Sequence, residues 1–336
     1  MGLVIGVDEA GYGPVLGPLV VASTAFEAPD AATEDGLWRA LQPDLGVAER
    51  ASAHRPWIAD SKLIHQGNNA LQRLERNVLA TCPLPLPVRF EEFLRWLGVP
   101  GEHIAEREPW HADDFPMLPL EADVAEIEPL RQGFRRATAE ADVQFLGVTA
   151  NVAQPWRFNR LVAQTDNKAT VLWLLAVEVV EKALSLERQE APAGGLPALE
   201  PARITMDKHG GRAYYAKLLR DSWPLASVDV LLETPEVSRY RVQAGRLNAE
   251  FTISEKAERL SLPVALASMY AKYVREVFMA QFNRWWVARA REALPALDPA
   301  AAITAGYWND YERWSRAVAP LLARLLLPPE EFIRRR

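Results

Sequence analysis

The chain has 336 residues, of which 49% are hydrophobic and 24% are charged, and its formal net charge is −6 at pH 7. This composition is that of an ordinary globular protein with a substantial core, and it excludes a broadly basic surface that would coat nucleic acid, although a local basic groove stays possible. The single cysteine, Cys82, excludes an internal disulfide and a cysteine-based zinc site, and is typical of a reducing compartment.

The hydrophobic pattern predicts a strand at 3–7 and a second strand at 16–26, antiparallel to the first and reached through a glycine turn. The longest apolar-periodic segment, 158–186, predicts one core helix. The other predicted strands are 143–152, 203–206, 227–232, 239–243 and 250–254, and the other predicted helices are 70–80, 130–139, 212–220, 263–288 and 311–326.

Two segments lack this regularity. Residues 83–129 are proline-rich with scattered acids and aromatics, which predicts an insertion or cap, and 187–201 predict a loop. Strands that alternate with helices elsewhere indicate an α/β fold in which helices flank a mixed sheet.

Asp8 and Glu9 are adjacent carboxylates at the predicted end of the first strand, and Gly11 and Gly13 follow them. Side chains alternate along a strand, so both acids can serve one site only where the strand ends or twists, which glycine permits. Unpaired carboxylates at the edge of a core are costly, and a divalent metal is the simplest partner for several of them. A solvent-facing acidic pair is the alternative.

Three further segments carry candidate chemistry. Asp207 ends a short strand before glycines, where ligands gather at strand ends, although it could equally cap a helix. Asp60-Ser61-Lys62 precedes a helix and could be only a cap. In the helix at 263–288, small residues permit close packing and Lys272 and Arg275 share one face, which a solvated basic edge would also explain.

Together and in this order, these segments resemble ribonuclease HII, the type 2 ribonuclease H family. Residues 6–18 resemble its G-x-D-E-x-G-x-G-P-x-x-G-P motif, residues 60–62 its D-S-K motif, and residues 267–276 its A-S-I-x-A-K-x-x-R-D helix. Asp207 and Glu258 match the positions of the family's third and fourth carboxylates. Residues 306–310 resemble a G-Y-P segment whose tyrosine, here Tyr307, packs against the substrate.

The resemblance implies a ribonuclease H-like fold: a five-stranded mixed sheet with helices on both faces, in a single domain over 1–336. The insertion would lie at about 83–129 and a C-terminal helical extension at about 289–336. It implies two Mg²⁺ or Mn²⁺ ions held by the catalytic carboxylates Asp8, Glu9, Asp207 and Glu258. It also implies nucleic-acid contacts from Gly11, Tyr12, Gly13, Ser61, Lys62, Ser268, Lys272, Arg275 and Tyr307.

The function expected from this resemblance is metal-dependent endonucleolytic cleavage of the RNA strand of RNA/DNA hybrids or ribonucleotide-containing duplexes, leaving 5′-phosphate and 3′-hydroxyl ends. Two departures stand out: Tyr12 occupies the place of an arginine that helps to grip the 2′-hydroxyl, and Glu258 replaces an aspartate. A metal nuclease of the same fold with another nucleic-acid substrate is therefore one alternative. A non-catalytic binding module is the other, although clustered like charges argue against it.

The sequence also bears on location. Its start lacks the basic region of a signal peptide, and the longest apolar helix candidate, 171–180, is interrupted by Glu178 and is too short to span a bilayer. We therefore expect a cytoplasmic monomer with no membrane partner.

Overall fold

The structure is a computed structural model, and it describes residues 2–29, 35–41, 45, 54–83, 85–103, 109–111, 115–186, 201–245 and 247–335. The predicted loop at 187–201 lies outside the described residues except for its last position. No helix in the described ranges is long and apolar enough to cross a membrane.

Seven strands of the described chain form one mixed sheet in the order β3-β2-β1-β4-β7-β6-β5. They are β1 (Gly2–Ala10), β2 (Leu19–Ala28), β3 (Gln144–Ala153), β4 (Ala202–Asp207), β5 (Ser227–Glu233), β6 (Val237–Ala244) and β7 (Leu247–Ser254). The three central strands β1, β4 and β7 are parallel, and all other neighbours are antiparallel. The expected mixed sheet is confirmed, but five strands was wrong, because the hairpin of β5 and β6 extends the sheet beyond β7.

Helices cover both faces of the sheet. They are α1 (Gly36–Leu41), α2 (Ser61–Ile64), α3 (Ala70–Ala80), α4 (Phe90–Trp96), α5 (Val124–Glu140), α6 (Pro155–Thr165), α7 (Lys168–Leu186), α8 (Ala216–Ser222), α9 (Leu262–Ala293), α10 (Trp308–Ala317), α11 (Ala319–Leu325) and α12 (Pro329–Phe332). The long helix α9, with α3, α4 and α5, buries one face. Helices α7 and α8 bury the other, and the aromatic second half of α9 packs against α10 and α11 in a third core.

Two predicted helices are each divided in the structure. The predicted core helix at 158–186 is α6 and α7, because Asp166 adopts a left-handed backbone (φ 51°) and the Asn167 side chain accepts hydrogen bonds from the first amides of α7. The predicted last helix at 311–326 breaks at Val318, two residues before Pro320, which cannot donate a helical hydrogen bond. The predicted helix at 212–220 begins only at Ala216.

The described parts of the segment 83–129 pack into the main core. Phe90 and Phe93 of α4 are fully buried in the same cluster as α9. The buried Glu75 carboxylate of α3 accepts hydrogen bonds from three consecutive backbone amides, at 120–122, and from the Tyr273 hydroxyl at 2.6 Å. A buried carboxylate with four donors is fully satisfied, so this segment is bound to the two helices beneath it.

Gly6 brings α9 into direct contact with β1. A Cβ atom there would lie 2.1 Å from the Val264 amide nitrogen and 2.2 Å from the Pro263 carbonyl carbon. The Thr24 hydroxyl on β2 donates to the Pro263 carbonyl oxygen at 2.7 Å and fixes the same contact. The start of α9 therefore lies on the sheet with no side chain between them.

Gly6→Ala should therefore destabilise the fold strongly, because the atoms that a methyl group would strike belong to the backbone. We expect a loss of about 3 kcal/mol in the free energy of unfolding, measured by urea denaturation. Gly101→Ala is the control: the space around Gly101 is open, and we expect a change below about 0.5 kcal/mol. Equal effects of the two substitutions would contradict this account of the contact.

Candidate active site

The parallel strands bring two of the candidate acids to one edge of the sheet. β1 pairs with β4 only as far as Val7 and Met206, whereas Asp8 and Glu9 continue β1 past that point while still pairing with β2. Asp207 is the next and last residue of β4. Because the carboxyl ends of parallel strands meet at one edge, Asp8 and Asp207 are neighbours there. The sequence predicts that the first strand ends at these acids. In the structure β1 continues to Ala10, and only its pairing with β4 ends before Asp8.

Glu258 reaches the same edge from the third parallel strand. It lies in a single 3₁₀ turn, Ala257–Arg259, that follows β7. The Ala257 amide donates to the Asp207 carboxylate at 3.1 Å, so one candidate acid positions the turn that carries the other. The helix-cap alternative for Asp207 is wrong, because α8 begins at Ala216 and has Tyr215 at its cap.

Burial raises the pKa of all four carboxyls, and neighbouring carboxylates raise the pKa of Asp8, Glu9 and Glu258 further. Burial raises the pKa of Asp8 well above its ordinary value, with further contributions from Glu9 and Asp207. Burial and then Asp207 raise the pKa of Glu9 to about 7. Burial also raises the pKa of Asp207, and burial followed by Asp207 raises that of Glu258. The four acids thus lie close enough to repel one another in a poorly solvated place.

Helix α2 brings a cation to this cluster. The Asp60 side chain accepts a hydrogen bond from the Lys62 amide at 2.9 Å, so it does cap α2. The Lys62 ammonium lowers the pKa of Glu9, Asp207 and Glu258, whereas the Asp60 carboxylate raises that of Glu258. The D-S-K segment therefore has a local capping function and also faces the carboxylates.

Two buried serines link α2, α9 and Asp8. The Ser61 and Ser268 hydroxyls are 2.9 Å apart, and Ser268 is hydrogen-bonded to the Asp8 carboxyl, whose pKa it lowers. When Asp8 is ionised it only accepts, so Ser268 donates to Asp8 and Ser61 donates to Ser268. The pair fixes the orientation of Asp8 from the helical layer.

Two buried arginines hold the glycine loop that follows β1. Gly11 has φ +92°, and a Cβ there would lie 2.8 Å from the Arg275 side chain. Arg275 is 2% exposed and donates to the carbonyls of Leu16 at 3.4 Å and Ala305 at 3.0 Å. Arg334 donates to the carbonyls of Gly11 and Pro14. Arg275 is therefore a positioning residue beneath the loop, which differs from the phosphate contact expected of it.

Of the remaining predicted nucleic-acid contacts, Lys272 is paired within its own helix and Tyr307 is exposed. Lys272 lies on the same face of α9 as Ser268, but its ammonium pairs with Glu276 at 2.8 Å. Tyr307 is 53% exposed, and its ring lies beside Gly13. The glycine loop and Tyr307 thus form one surface next to the carboxylates.

Tyr12 lies on the other side of the loop, at a cavity of about 530 Å³ whose wall also includes residues 209–214. The Lys168 ammonium stands 5.0 Å from the centre of the Tyr12 ring, a cation–π contact. His209 is 4% exposed, and burial and then Arg212 lower its pKa to about 3, so it is a neutral imidazole. Lys168 therefore places a positive charge beside Tyr12, whereas Tyr12 and the nearby His209 are uncharged.

The donor set suits a hard divalent cation in its chemistry, because Mg²⁺ and Mn²⁺ take carboxylate oxygens and a cation would relieve the repulsion among the acids. Within the described ranges, no three or more His, Cys, Asp or Glu side chains stand in an arrangement that could hold a metal ion. The carboxylates are thus neighbours that do not form a finished coordination shell.

Sequence comparison gives one informative relative. No family model matches the chain. Over 87 residues the chain is 36% identical to ribonuclease HII of Gluconobacter oxydans (strain 621H), which covers 25% of this chain and 42% of that protein. Over this segment the chain is similar to ribonuclease HII. The resemblance indicated by the motifs is thereby confirmed, over a match that spans less than half of the relative's length.

Solved structures of the same enzyme class are similar over nearly the whole chain, at low identity. Ribonuclease HII from Archaeoglobus fulgidus, solved in complex with PCNA, covers 99% of this chain and 94% of its own, with 16% identity and a TM-score of 0.42. Ribonuclease H2 from Pyrococcus horikoshii OT3 covers 98% and 92%, with 14% identity and a TM-score of 0.43. Bst-RNase HIII in complex with Mn²⁺ covers 99% and 66%, with 19% identity and a TM-score of 0.42.

Sequence reasoning missed two residues of this site. Arg334 is near the end of the chain, 323 positions from the Gly11 carbonyl that it binds, and no local pattern marks it. Lys168 opens α7 inside a segment that reads as one apolar helix, so its place beside Tyr12 was hidden. The polar tract at 165–168 is the signal that could have revealed the break.

Glu9→Gln should stabilise the metal-free protein at alkaline pH. The folded pKa of Glu9, about 7, exceeds the ordinary 4.5, so the native state holds this proton more tightly than the unfolded chain. Stability is therefore lost as the pH rises from about 4.5 through 7, and the variant escapes that loss. In EDTA we expect a higher melting temperature than wild type at pH 8 and no difference at pH 4.

The exposed Glu236 supplies the control, since Glu236→Gln should leave the melting temperature within about 1 °C of wild type at both pH values. A Glu9→Gln melting temperature that is lower than that of the wild type at pH 8 would show that the ionised Glu9 carboxylate does not destabilise the folded state.

Proposed function

We propose that this protein is a metal-dependent endonuclease that cleaves the RNA strand of RNA/DNA hybrids and leaves 5′-phosphate and 3′-hydroxyl ends. The observation that carries the proposal is the meeting of Asp8, Glu9, Asp207 and Glu258 at one edge of the sheet, with raised pKa values. The sequence match to ribonuclease HII supports the same reaction class. A protein that only bound a polyanion would gain nothing from clustered negative charge.

The four carboxylates would hold two Mg²⁺ or Mn²⁺ ions. When bound, such ions supply Lewis-acid stabilisation of a phosphodiester and make water more acidic. Ser268 and Ser61 hold the Asp8 carboxylate in one orientation, so its oxygens need no reorganisation when ions and substrate bind.

The other residues would recognise the nucleic acid. Lys62 is exposed beside the carboxylates and would meet a backbone phosphate. The backbone amides of Gly11 and Gly13 would approach a ribose closely, because neither residue has a side chain. Tyr307 would stack on a sugar or base from its exposed position. We assign Arg275 to holding the loop that presents these groups.

Asp8→Asn should abolish cleavage and leave nucleic-acid binding largely intact. The substitution keeps the size of the side chain and removes a charge that would hold the proposed ions, so we expect a fall in kcat of at least 10³-fold. The assay is cleavage of a labelled hybrid with Mg²⁺ or Mn²⁺, alongside binding to the same hybrid in Ca²⁺. DNA duplex and single-ribonucleotide duplex serve as parallel substrates.

The matched control is Asp229→Asn on the exposed face of β5, which should cleave like wild type. Cleavage near the wild-type rate by a pure Asp8→Asn protein would refute the role of Asp8. Wild-type cleavage of DNA duplex without cleavage of either ribonucleotide substrate would instead favour the alternative, a nuclease of this fold with another substrate.

Tyr12→Arg should improve cleavage at a single embedded ribonucleotide more than cleavage of a long hybrid. A tyrosine stacks but carries no charge, whereas arginine is a forked cationic donor. A long hybrid offers many 2′-hydroxyls and its overall shape, so it depends less on one contact. The measurement is the ratio of kcat/KM on the two substrates, with Tyr12→Phe as the control that keeps the ring. An unchanged ratio in Tyr12→Arg would remove Tyr12 from ribonucleotide selection.

A further inference from the structure

A second cavity lies beside the start of β3, which pairs through the end of β2 with the start of β1, and so is at the opposite end of these strands from Asp8 and Glu9. Its volume is about 740 Å³, within the range of small-molecule sites. It is enclosed by the end of α3, by α5, by the start of β3 and by Trp96 of α4. Arg135, Ala139 and Gln144 on its wall are exposed, so the cavity opens to solvent.

Arg131 of α5 is a buried cation in the wall of this cavity and lacks adequate partners. It is 2% exposed, and its Nε and Nη1 atoms have no hydrogen-bond partner among the described residues. Its Nη2 donates only to the Leu79 carbonyl, at 3.5 Å, and Nη1 is 3.6 Å from the half-exposed Glu128 carboxylate. A guanidinium has five N–H donors, and leaving them unpaired in a buried place is costly.

The other buried arginines of the described chain make more or shorter hydrogen bonds than Arg131. Arg157 donates to the Asn151 side chain at 2.6 Å and to a backbone carbonyl at 2.9 Å. Arg275 and Arg334 each donate to two backbone carbonyls. Arg334 also has unpaired Nε and Nη1 atoms and Arg275 an unpaired Nε, but Arg131 alone among these four has only a single, long hydrogen bond.

The wall around Arg131 is positive and apolar. Arg135 is one helical turn further along α5, and among the described residues that line the cavity none is Asp or Glu, in a chain whose net charge is −6. The Cys82 thiol supplies no counter-charge, because burial raises its pKa to about 12. Phe134, Phe145 and Trp96 form the aromatic part of the wall.

We propose that this cavity binds a small carboxylic acid with an aromatic or branched apolar body, whose carboxylate pairs with Arg131. The planar guanidinium offers a carboxylate two parallel donors along its Nη1–Nη2 edge or its Nε–Nη2 edge, so a bound acid would give a partner to one of the two nitrogens that the protein leaves unpaired. The aromatic wall would cover the apolar body, and Arg135 would screen the acid at the entrance. This site is independent of the proposed nuclease site.

The test is isothermal titration of the full chain with 3-phenylpropionate, compared with its neutral isostere 3-phenylpropionamide. We expect the acid to bind at least tenfold more tightly than the amide and to raise the melting temperature with its concentration. Equal affinity of acid and amide, or the absence of acid binding at millimolar concentration, would overturn the proposal.

Variants locate the site. Arg131→Met should weaken acid binding at least tenfold, as should Ala139→Phe, which fills the entrance from an exposed helical position. Arg135→Gln should weaken it severalfold, whereas Arg136→Gln, an equally exposed arginine outside the cavity wall, should not change it. If Arg131 only stabilised the end of α3, Arg131→Met would lower the melting temperature and leave acid binding unchanged. Should Arg131→Met fail to fold, full binding by Ala139→Phe would equally overturn the proposal.

Discussion

The whole arrangement depends on the contact between the start of α9 and the middle of β1. At Gly6 the backbone of the helix lies directly on the backbone of the strand, and the Thr24 hydroxyl holds it from β2. Such a contact has no flexible side chain that could adjust, so the height and rotation of α9 over the sheet are fixed. Ser268, little more than one turn further along the helix, therefore meets Asp8 just past the point where β4 stops pairing with β1.

That rigidity matters because burial and mutual repulsion of the carboxylates destabilise the folded state. Glu75 shows how this protein satisfies a structural acid: four donors surround it in the core. Asp8 and Glu9 have few such donors, and burial with neighbouring charge raises their pKa. The difference separates an acid that holds the fold together from acids that the fold holds in place. The second kind is the pattern expected where a ligand supplies the missing charge.

Most of the sheet could be predicted from the sequence because a strand has a local apolar pattern. The strands at 227–232, 239–243 and 250–254 lie within β5, β6 and β7. The errors came where a single polar residue acts through its backbone, as Asp166 does in ending α6 with a left-handed conformation. The number of strands was wrong for another reason: the family resemblance implies five strands, whereas the hairpin of β5 and β6 lies at one edge of a seven-stranded sheet.

The candidate site was predictable to the extent that its chemistry is local in sequence. Asp8, Glu9 and Asp207 stand beside predicted strand ends and glycines, which makes them candidates, but each has a bland alternative when taken alone. The order of the motifs and their resemblance to the family select the set, and Glu258 is selected by that resemblance only. Arg275 shares a helical face with Lys272, so the sequence predicts a cation that meets nucleic acid. Its side chain is instead buried by contacts with residues 305 and 306, which the local pattern of the helix does not reveal. Arg334 likewise contacts the loop from a position 323 residues away, which no local pattern reveals. The loop Gly11-Tyr12-Gly13-Pro14 has few side chains that could stabilise it, so its support comes from arginines that are far away in sequence.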